Sequence, residues 1–157
     1  MTKTNAMRIL ESHGVAYTAA EYPVKDGKID GVSVAAKLGT PVERVFKTLV
    51  TQNKAGELFV FIIPVAQELD LKKAAKAAGQ KSVEMIPQSK LLPATGYVHG
   101  GCSPFGMKKQ YPTYLDESAI LQEEIHVSGG KVGLQVRLAP EELIRVAKAE
   151  YFDLVRG

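Results

Sequence analysis

Val45-Phe46-Lys47-Thr48-Leu49-Val50-Thr51-Gln52-Asn53-Lys54-Ala55-Gly56-Glu57-Leu58-Phe59-Val60-Phe61-Ile62-Ile63-Pro64 decides the class of fold. Two runs rich in β-branched and aromatic residues flank the polar insert Asn53-Lys54-Ala55-Gly56-Glu57, which is a hairpin signature. Alternation puts Lys47 on one face with Val45 and Leu49, and Phe46, Thr48 and Val50 on the other. Both faces are mostly apolar, so the first strand reads as central and covered on both sides. A lysine there is costly unless it is paired or faces a wet cleft. An edge-strand lysine that snorkels to solvent is the plain alternative. The pattern favours the cleft.

Working outward, residues 4–13 carry Ala6, Ile9 and Leu10 at helical spacing, closed by Gly14. Ala16 to Tyr22 reads as a strand and Pro23 to Gly31 as a polar loop. Ser33 is positioned to cap a short helix ending near Gly39. Thr40-Pro41-Val42-Glu43 has the form of a capping box with proline at the first helical position. Asp70 caps a helix over 71–78 that Gly79 closes. Short strands are expected at 82–86, 113–116, 124–127 and 132–138, with a helical turn at 89–92. Ser128-Gly129-Gly130-Lys131 makes a turn between the last two strands. Pro140 opens a terminal helix to about Lys148, and 151–155 adds a final strand. Short strands mixed with helices, with at least two hairpins, define an α+β domain.

The chain of 157 residues fits one domain spanning 1–157, and its 45% hydrophobic content excludes disorder. No apolar run approaches the ~18 residues of a membrane span, and the N-terminus has no signal-peptide core. A soluble, cytoplasmic protein without membrane contact is expected. The one cysteine, Cys102, excludes an intrachain disulfide. His13, His99 and His126 lack metal-ligand spacing, so neither a metal nor a cofactor is expected. The net charge of +3 is uneven, because residues 71–110 hold seven lysines against one acid. That asymmetry favours an anionic partner, nucleic acid first, although a solvated helix face is the usual source of such a run.

The other distinctive segment is Thr95-Gly96-Tyr97-Val98-His99-Gly100-Gly101-Cys102-Ser103-Pro104-Phe105-Gly106-Met107-Lys108-Lys109. Glycine at this density lets backbone N–H groups approach a negatively charged ligand closely, and two lysines add charge at the exit. Met107 after Gly106 excludes a P-loop, which needs lysine there. Tyr22, ending a strand before Pro23, is a candidate to close a pocket. Ser128 reads first as a turn former. No histidine or carboxylate neighbours Cys102 in sequence to support a nucleophilic thiol, and no Gly-x-Ser-x-Gly motif is present.

Phe46-Lys47-Thr48-Leu49-Val50, Glu68-Leu69-Asp70-Leu71-Lys72-Lys73-Ala74-Ala75-Lys76, Thr95-Gly96-Tyr97, the Gly100–Lys109 segment and Val127-Ser128-Gly129-Gly130-Lys131 together resemble YbaK-type proteins. That family is the free-standing Cys-tRNA(Pro) deacylase branch of the YbaK/ProX editing superfamily, related to the editing insertion of bacterial prolyl-tRNA synthetases. The resemblance runs through essentially the whole chain in order. It implies an α+β fold on a mixed, mostly antiparallel, barrel-like sheet flanked by helices. It implies a deacylase that cleaves the aminoacyl ester of Cys-tRNA(Pro), with the substrate thiol assisting and no protein nucleophile. Lys47 matches the family's main active-site residue. Tyr22, Thr48, Gly100, Gly101, Cys102, Ser103, Ser128 and Gly129 are carried over as substrate-lining. The acceptor end of tRNA is the implied partner, with prolyl-tRNA synthetase as a supplier of tRNA identity. An Ala-tRNA(Pro) deacylase, a non-catalytic binding module and a thiol enzyme centred on Cys102 stay open at this point.

Overall fold

The computed structural model describes residues 2–157. Its helices are α1 (Asn5–Ser12), α2 (Gly31–Leu38), α3 (Leu71–Ala77), α4 (Leu91–Thr95) and α5 (Pro140–Ala147). Its strands are β1 (Thr18–Glu21), β2 (Phe46–Gln52), β3 (Leu58–Pro64), β4 (Glu84–Met85), β5 (Thr113–Asp116), β6 (Ile125–Ser128), β7 (Leu134–Leu138) and β8 (Ala149–Phe152). The α+β class is as expected, with the strands forming two sheets. One sheet is three-stranded and antiparallel, in the order β1-β7-β6. The other is five-stranded, in the order β4-β2-β3-β5-β8. β2 pairs antiparallel with β3 and β4, while β3–β5 and β5–β8 are parallel.

The expected barrel-like closure does not occur. A single parallel bridge, Val45 to His126, joins the edge of one sheet to the other. The ladder cannot extend backwards from it, because the chain before Val45 turns through a 3-10 segment, Val42–Arg44. Beyond the bridge, a seam between β2 and β6 stays open along Phe46–Leu49, and it holds the site described below.

The hairpin forms as its sequence dictates, with Phe46 opposite Pro64 through Gln52 opposite Leu58. Gly56, at φ +83°, supplies the turn conformation that side chains resist. β3 is apolar on every residue because both its faces are covered. Val60 and Ile62 enter the main core with Leu10, Phe105, Leu115, Leu134 and Leu143. Phe59, Phe61 and Ile63 enter a second core with Ala74, Val83 and Leu154. A strand buried on both faces reads as a continuous apolar run rather than an alternation.

Two of the expected caps are corrected. Asp30, not Ser33, caps α2; its carboxylate accepts from the Ser33 amide at 3.1 Å and from the Ser33 hydroxyl at 2.7 Å. An aspartate three residues upstream is the stronger acceptor for the free amides of a helix start. The capping box at Thr40 does not form: Pro41 is the extended residue before the 3-10 turn, which has no side-chain cap. Asp70 does cap α3, accepting from the amides of Lys72 and Lys73 at 2.9 and 3.1 Å. Strand β1 is shorter than the 16–22 run suggests, and the final strand falls earlier than 151–155.

Candidate active site

The open seam widens into a cleft of about 360 Å³, within the range of small-ligand sites. Both sheets and the glycine-rich loop line it. Lys47 and Thr48 come from β2, Ser128 from the end of β6, Gln135 from β7 and Tyr22 from just beyond β1. Gly100 and Cys102 come from the loop, and Asp30 and Gly31 from the start of α2. Register explains part of the convergence. Ser128 and Gln135 are directly opposite across β6–β7, and Gln135 is opposite Ala20 on β1. Their side chains therefore project from one patch of one sheet.

β2 is an inner strand, between β4 and β3, as expected, but β4 flanks only part of its length. β4 pairs with Thr51 and Gln52 alone, so the stretch from Phe46 to Leu49 has an unpaired side facing the seam. Lys47 and Thr48 are adjacent and alternate in direction, yet both reach the cleft because that edge is open. Burial pulls the Lys47 ammonium below the ordinary lysine value, opposed in part by the charge of Glu68. Among the described residues Lys47 takes part in no ion pair. It is the expensive, cleft-facing lysine that the sequence pattern favours.

The polar groups beside it are unsatisfied. The Tyr22 hydroxyl, Thr48 Oγ1 and Gln135 Oε1 are buried and have no hydrogen-bond partner among the described residues. Tyr22 and Gln135 are only 6% and 7% exposed. Buried polar atoms are rarely left alone in a fold, and three of them around one cleft mark places where a ligand's polar groups would be received. Lys37 fixes the wall that carries Tyr22. Its ammonium donates to the carbonyls of Pro23 and Lys28 at 2.7 and 2.8 Å and to Asp26 at 2.8 Å, and it stands 5.9 Å from the Tyr22 ring centre.

The glycine-rich loop is stiffened from within. The Tyr97 hydroxyl donates to the Phe105 carbonyl, the Tyr97 amide to Thr95 Oγ1 at 3.0 Å, and Asn5 Nδ2 to the Gly106 carbonyl at 3.0 Å. Gly100 has φ +83° and lines the cleft. Gly101, Ser103 and Gly129 do not line it. A Cβ on Gly101 would meet the backbone of Lys131 and Val132 at 2.9 Å, and one on Gly129 would meet Leu134 at 2.7 Å. The Gly101 amide already donates to Val98, and the Gly129 amide to Leu134. Ser103 is fully buried, its hydroxyl accepting from the Phe105 amide at 3.3 Å. These three hold the loop and the β6–β7 turn together, whereas Gly100 and Ser128 stand at the cleft itself.

Cys102 lines the cleft but is 7% exposed, and burial pushes its thiol up to about 12. It stays protonated near neutral pH, the opposite of an activated nucleophile. Cys102→Ala is expected to keep most activity and change KM by no more than a few-fold. A steady-state comparison with wild type checks this, and an inactive variant of unchanged melting temperature would restore Cys102 as a nucleophile.

Sequence reasoning missed Gln135, Ile29 and Asp30 as cleft residues. Leu134-Gln135-Val136-Arg137-Leu138 alternates like a half-exposed strand, so Gln135 looks solvent-facing; pairing on both sides and the seam bury it instead. Asp30 and Ile29 lie in a polar loop whose return to the cleft depends on the Lys37 contacts, distant in sequence from the loop's start. Gly31 carries a usable signal only in hindsight of packing: a Cβ there would stand 2.2 Å from Val65. No helix among the described residues is long and apolar enough to cross a membrane.

The family model for the aminoacyl-tRNA editing domain matches residues 30–146. EbsC of Enterococcus faecalis, named as a candidate Cys-tRNA(Pro)/Cys-tRNA(Cys) deacylase, is 49% identical over 153 residues, covering 97% of this chain and 93% of that protein. A proline–tRNA ligase of Burkholderia thailandensis is 24% identical over 135 residues, 83% of this chain but 23% of the ligase. A crystal structure described as a candidate trans-editing enzyme for prolyl-tRNA synthetase superposes with a TM-score of 0.87 at 27% identity, each chain covered completely (100%). With an open seam carrying a cleft lysine and a stiff glycine loop, and with that match, this chain belongs to the aminoacyl-tRNA editing domain family.

Proposed function

We propose that the protein is a trans-editing deacylase that removes cysteine from mischarged Cys-tRNA(Pro). The observation that carries this reading is the grouping of Lys47 with the partnerless Tyr22 hydroxyl, Thr48 Oγ1 and Gln135 Oε1 in one cleft. An aminoacyl ester on a terminal adenosine offers the ammonium, carbonyl and hydroxyl groups that such a set would engage. The similarity to EbsC supports cysteine as the amino acid.

The need for such an enzyme follows from discrimination. A pocket that accepts proline rejects a smaller residue by only ~1–3 kcal/mol per methylene, so a second site must remove the error. In the chemistry we propose, the substrate's own sulfur attacks its ester carbonyl. A carbon–sulfur bond forms, the carbon–oxygen bond to ribose breaks, and the thiol proton ends on the ribose hydroxyl. Water then opens the resulting four-membered thiolactone to free cysteine. Lys47 supplies the fixed positive charge against which the ester end is held, and the Gly100 amide, which has no acceptor among the described residues, is available to the developing oxyanion. Prolyl-tRNA synthetase would supply tRNA identity.

Deacylation of Cys-tRNA(Pro) and Ala-tRNA(Pro) by the wild-type protein tests the assignment. Cysteine is expected to be removed and alanine retained. Preferential loss of alanine would move the substrate to the other branch of the superfamily, and turnover of neither would leave a binding module.

A further inference from the structure

A second cleft, of about 320 Å³, opens beside the exit of the glycine-rich loop. Three separate segments build it: the end of α1 with His13, the loop with Lys108, Lys109 and Gln110, and the C-terminus of α5 with Lys148. Among the described residues no carboxylate lines it. Lys108, Lys109 and Lys148 are exposed, and none is ion-paired among the described residues.

The segments are fixed relative to one another. Gln110 Nε2 donates to the Ala147 carbonyl at 2.8 Å, joining the loop to α5. Arg145 Nη2 donates to the His13 carbonyl at 3.1 Å, joining α5 to α1. Asn5 Nδ2 ties α1 back to the loop at Gly106. Lys148 is the one non-glycine residue with positive φ among the described residues, at +53°. A helix ending in this conformation normally takes glycine or asparagine there, so Lys148 stands against backbone preference. A cation near a helix C-terminus also complements the helix dipole, which gives Lys148 a structural alternative. Lys108 and Lys109 follow no helix and have no such explanation.

The same loop connects this cleft to the acyl cleft. Gly100 and Cys102 line one, and Lys108 and Lys109 the other. The six-residue span from Cys102 to Lys108 reaches at most about 20 Å. An RNA strand carries a phosphate every few ångströms, so one anchored by its 3′ end in the acyl cleft has several within that reach.

We infer that this second cleft binds the phosphodiester backbone of the tRNA acceptor end, a contact separate from the acyl site; it rests on the reading of the protein as a tRNA-editing enzyme. The test compares wild type, the double variant Lys108→Gln/Lys109→Gln, and Lys148→Gly. Three readouts apply: binding of uncharged tRNA(Pro) across a salt series, deacylation of Cys-tRNA(Pro), and deacylation of a cysteinyl-adenosine ester that lacks the backbone. The double variant is expected to flatten the slope of log affinity against log salt by about 1.4–1.8, from ~0.7–0.9 per lost contact, and to weaken tRNA binding about tenfold at low salt. Turnover of the adenosine ester is expected to stay at the wild-type rate. Lys148→Gly is expected to keep or raise the melting temperature while still weakening tRNA binding. Unchanged tRNA affinity and salt slope in both variants would overturn the inference. So would an equal loss on tRNA and adenosine ester, which would place the lysines in the acyl site or the fold. Wild type that binds tRNA through these lysines but hydrolyses nothing would sink the deacylase reading and leave the phosphate contact standing.

Discussion

Lys47→Ala is expected to lower deacylation of Cys-tRNA(Pro) by about 10²–10³-fold while leaving the fold intact. That range is the usual cost, about 3–4 kcal/mol, of removing one preorganised electrostatic donor from a reacting site. The ammonium has been drawn out of water on the seam edge of β2, with only the charge of Glu68 to favour it. A group held that way contributes little to folding. Its pKa in the folded chain lies below the unfolded value of 10.5, because burial disfavours the charged form. At pH below both values the lysine is charged in both states and the burial penalty is fully present; the penalty is relieved as pH rises through the folded value. A shape-preserving Lys47→Met should therefore be as stable as wild type or more so at neutral pH, with the difference narrowing in alkali. For the same reason the Lys47-dependent part of the rate should fall on the alkaline side earlier than an exposed lysine would allow, and Lys47→Ala should lack that limb. Rate against pH, together with thermal unfolding, reads both. Full activity in a well-folded Lys47→Ala would remove this residue from the mechanism.

Local chemistry was legible in the sequence, and long-range closure was not. The 45–64 hairpin, the Asp70 cap and the Pro140 helix start each rest on residues within a few positions of one another, and each forms as read. The Lys47 argument also succeeded, since a charge in an apolar strand needs a wet cleft wherever its partners come from. What the pattern does not carry is the open edge beside Lys47, because β4 is too short to reach it and nothing in residues 82–86 specifies that length. Closure of the sheet into a barrel depended on β2 meeting β6, and the two meet at one bridge, a long-range contact that local sequence does not specify. The glycines divided for the same reason. Gly100 stands in the cleft, whereas Gly101 and Gly129 are required by neighbours thirty residues and five residues away, contacts that composition cannot rank. Gln135 escaped because strand alternation distinguishes faces but not which face meets a cleft.

Blocking the substrate's sulfur should be as damaging as removing Lys47. With S-methylcysteinyl-tRNA(Pro), the rate is expected to fall by at least about 10³-fold against Cys-tRNA(Pro), because the nucleophile of the proposed thiolactone route is gone. The cleft offers little to replace it. The Cys102 thiol is held protonated by burial, and the Ser128 hydroxyl accepts from the Gly130 amide at 3.2 Å with no histidine hydrogen-bonded to it among the described residues. A nucleophile without an adjacent base is weak at neutral pH. The added methyl is small against the cleft volume of about 360 Å³, so binding of the methylated substrate should survive while kcat collapses. Single-turnover deacylation at saturating enzyme separates the two, since it measures chemistry apart from binding. Seryl-tRNA(Pro) makes the complementary probe, with the shape of cysteine and a far poorer nucleophile, and should also be spared. Equal rates for the methylated and free-thiol substrates would require water or a protein group to attack the ester. The partnerless Tyr22, Thr48 and Gln135 atoms would then be read as holding that water rather than the amino acid.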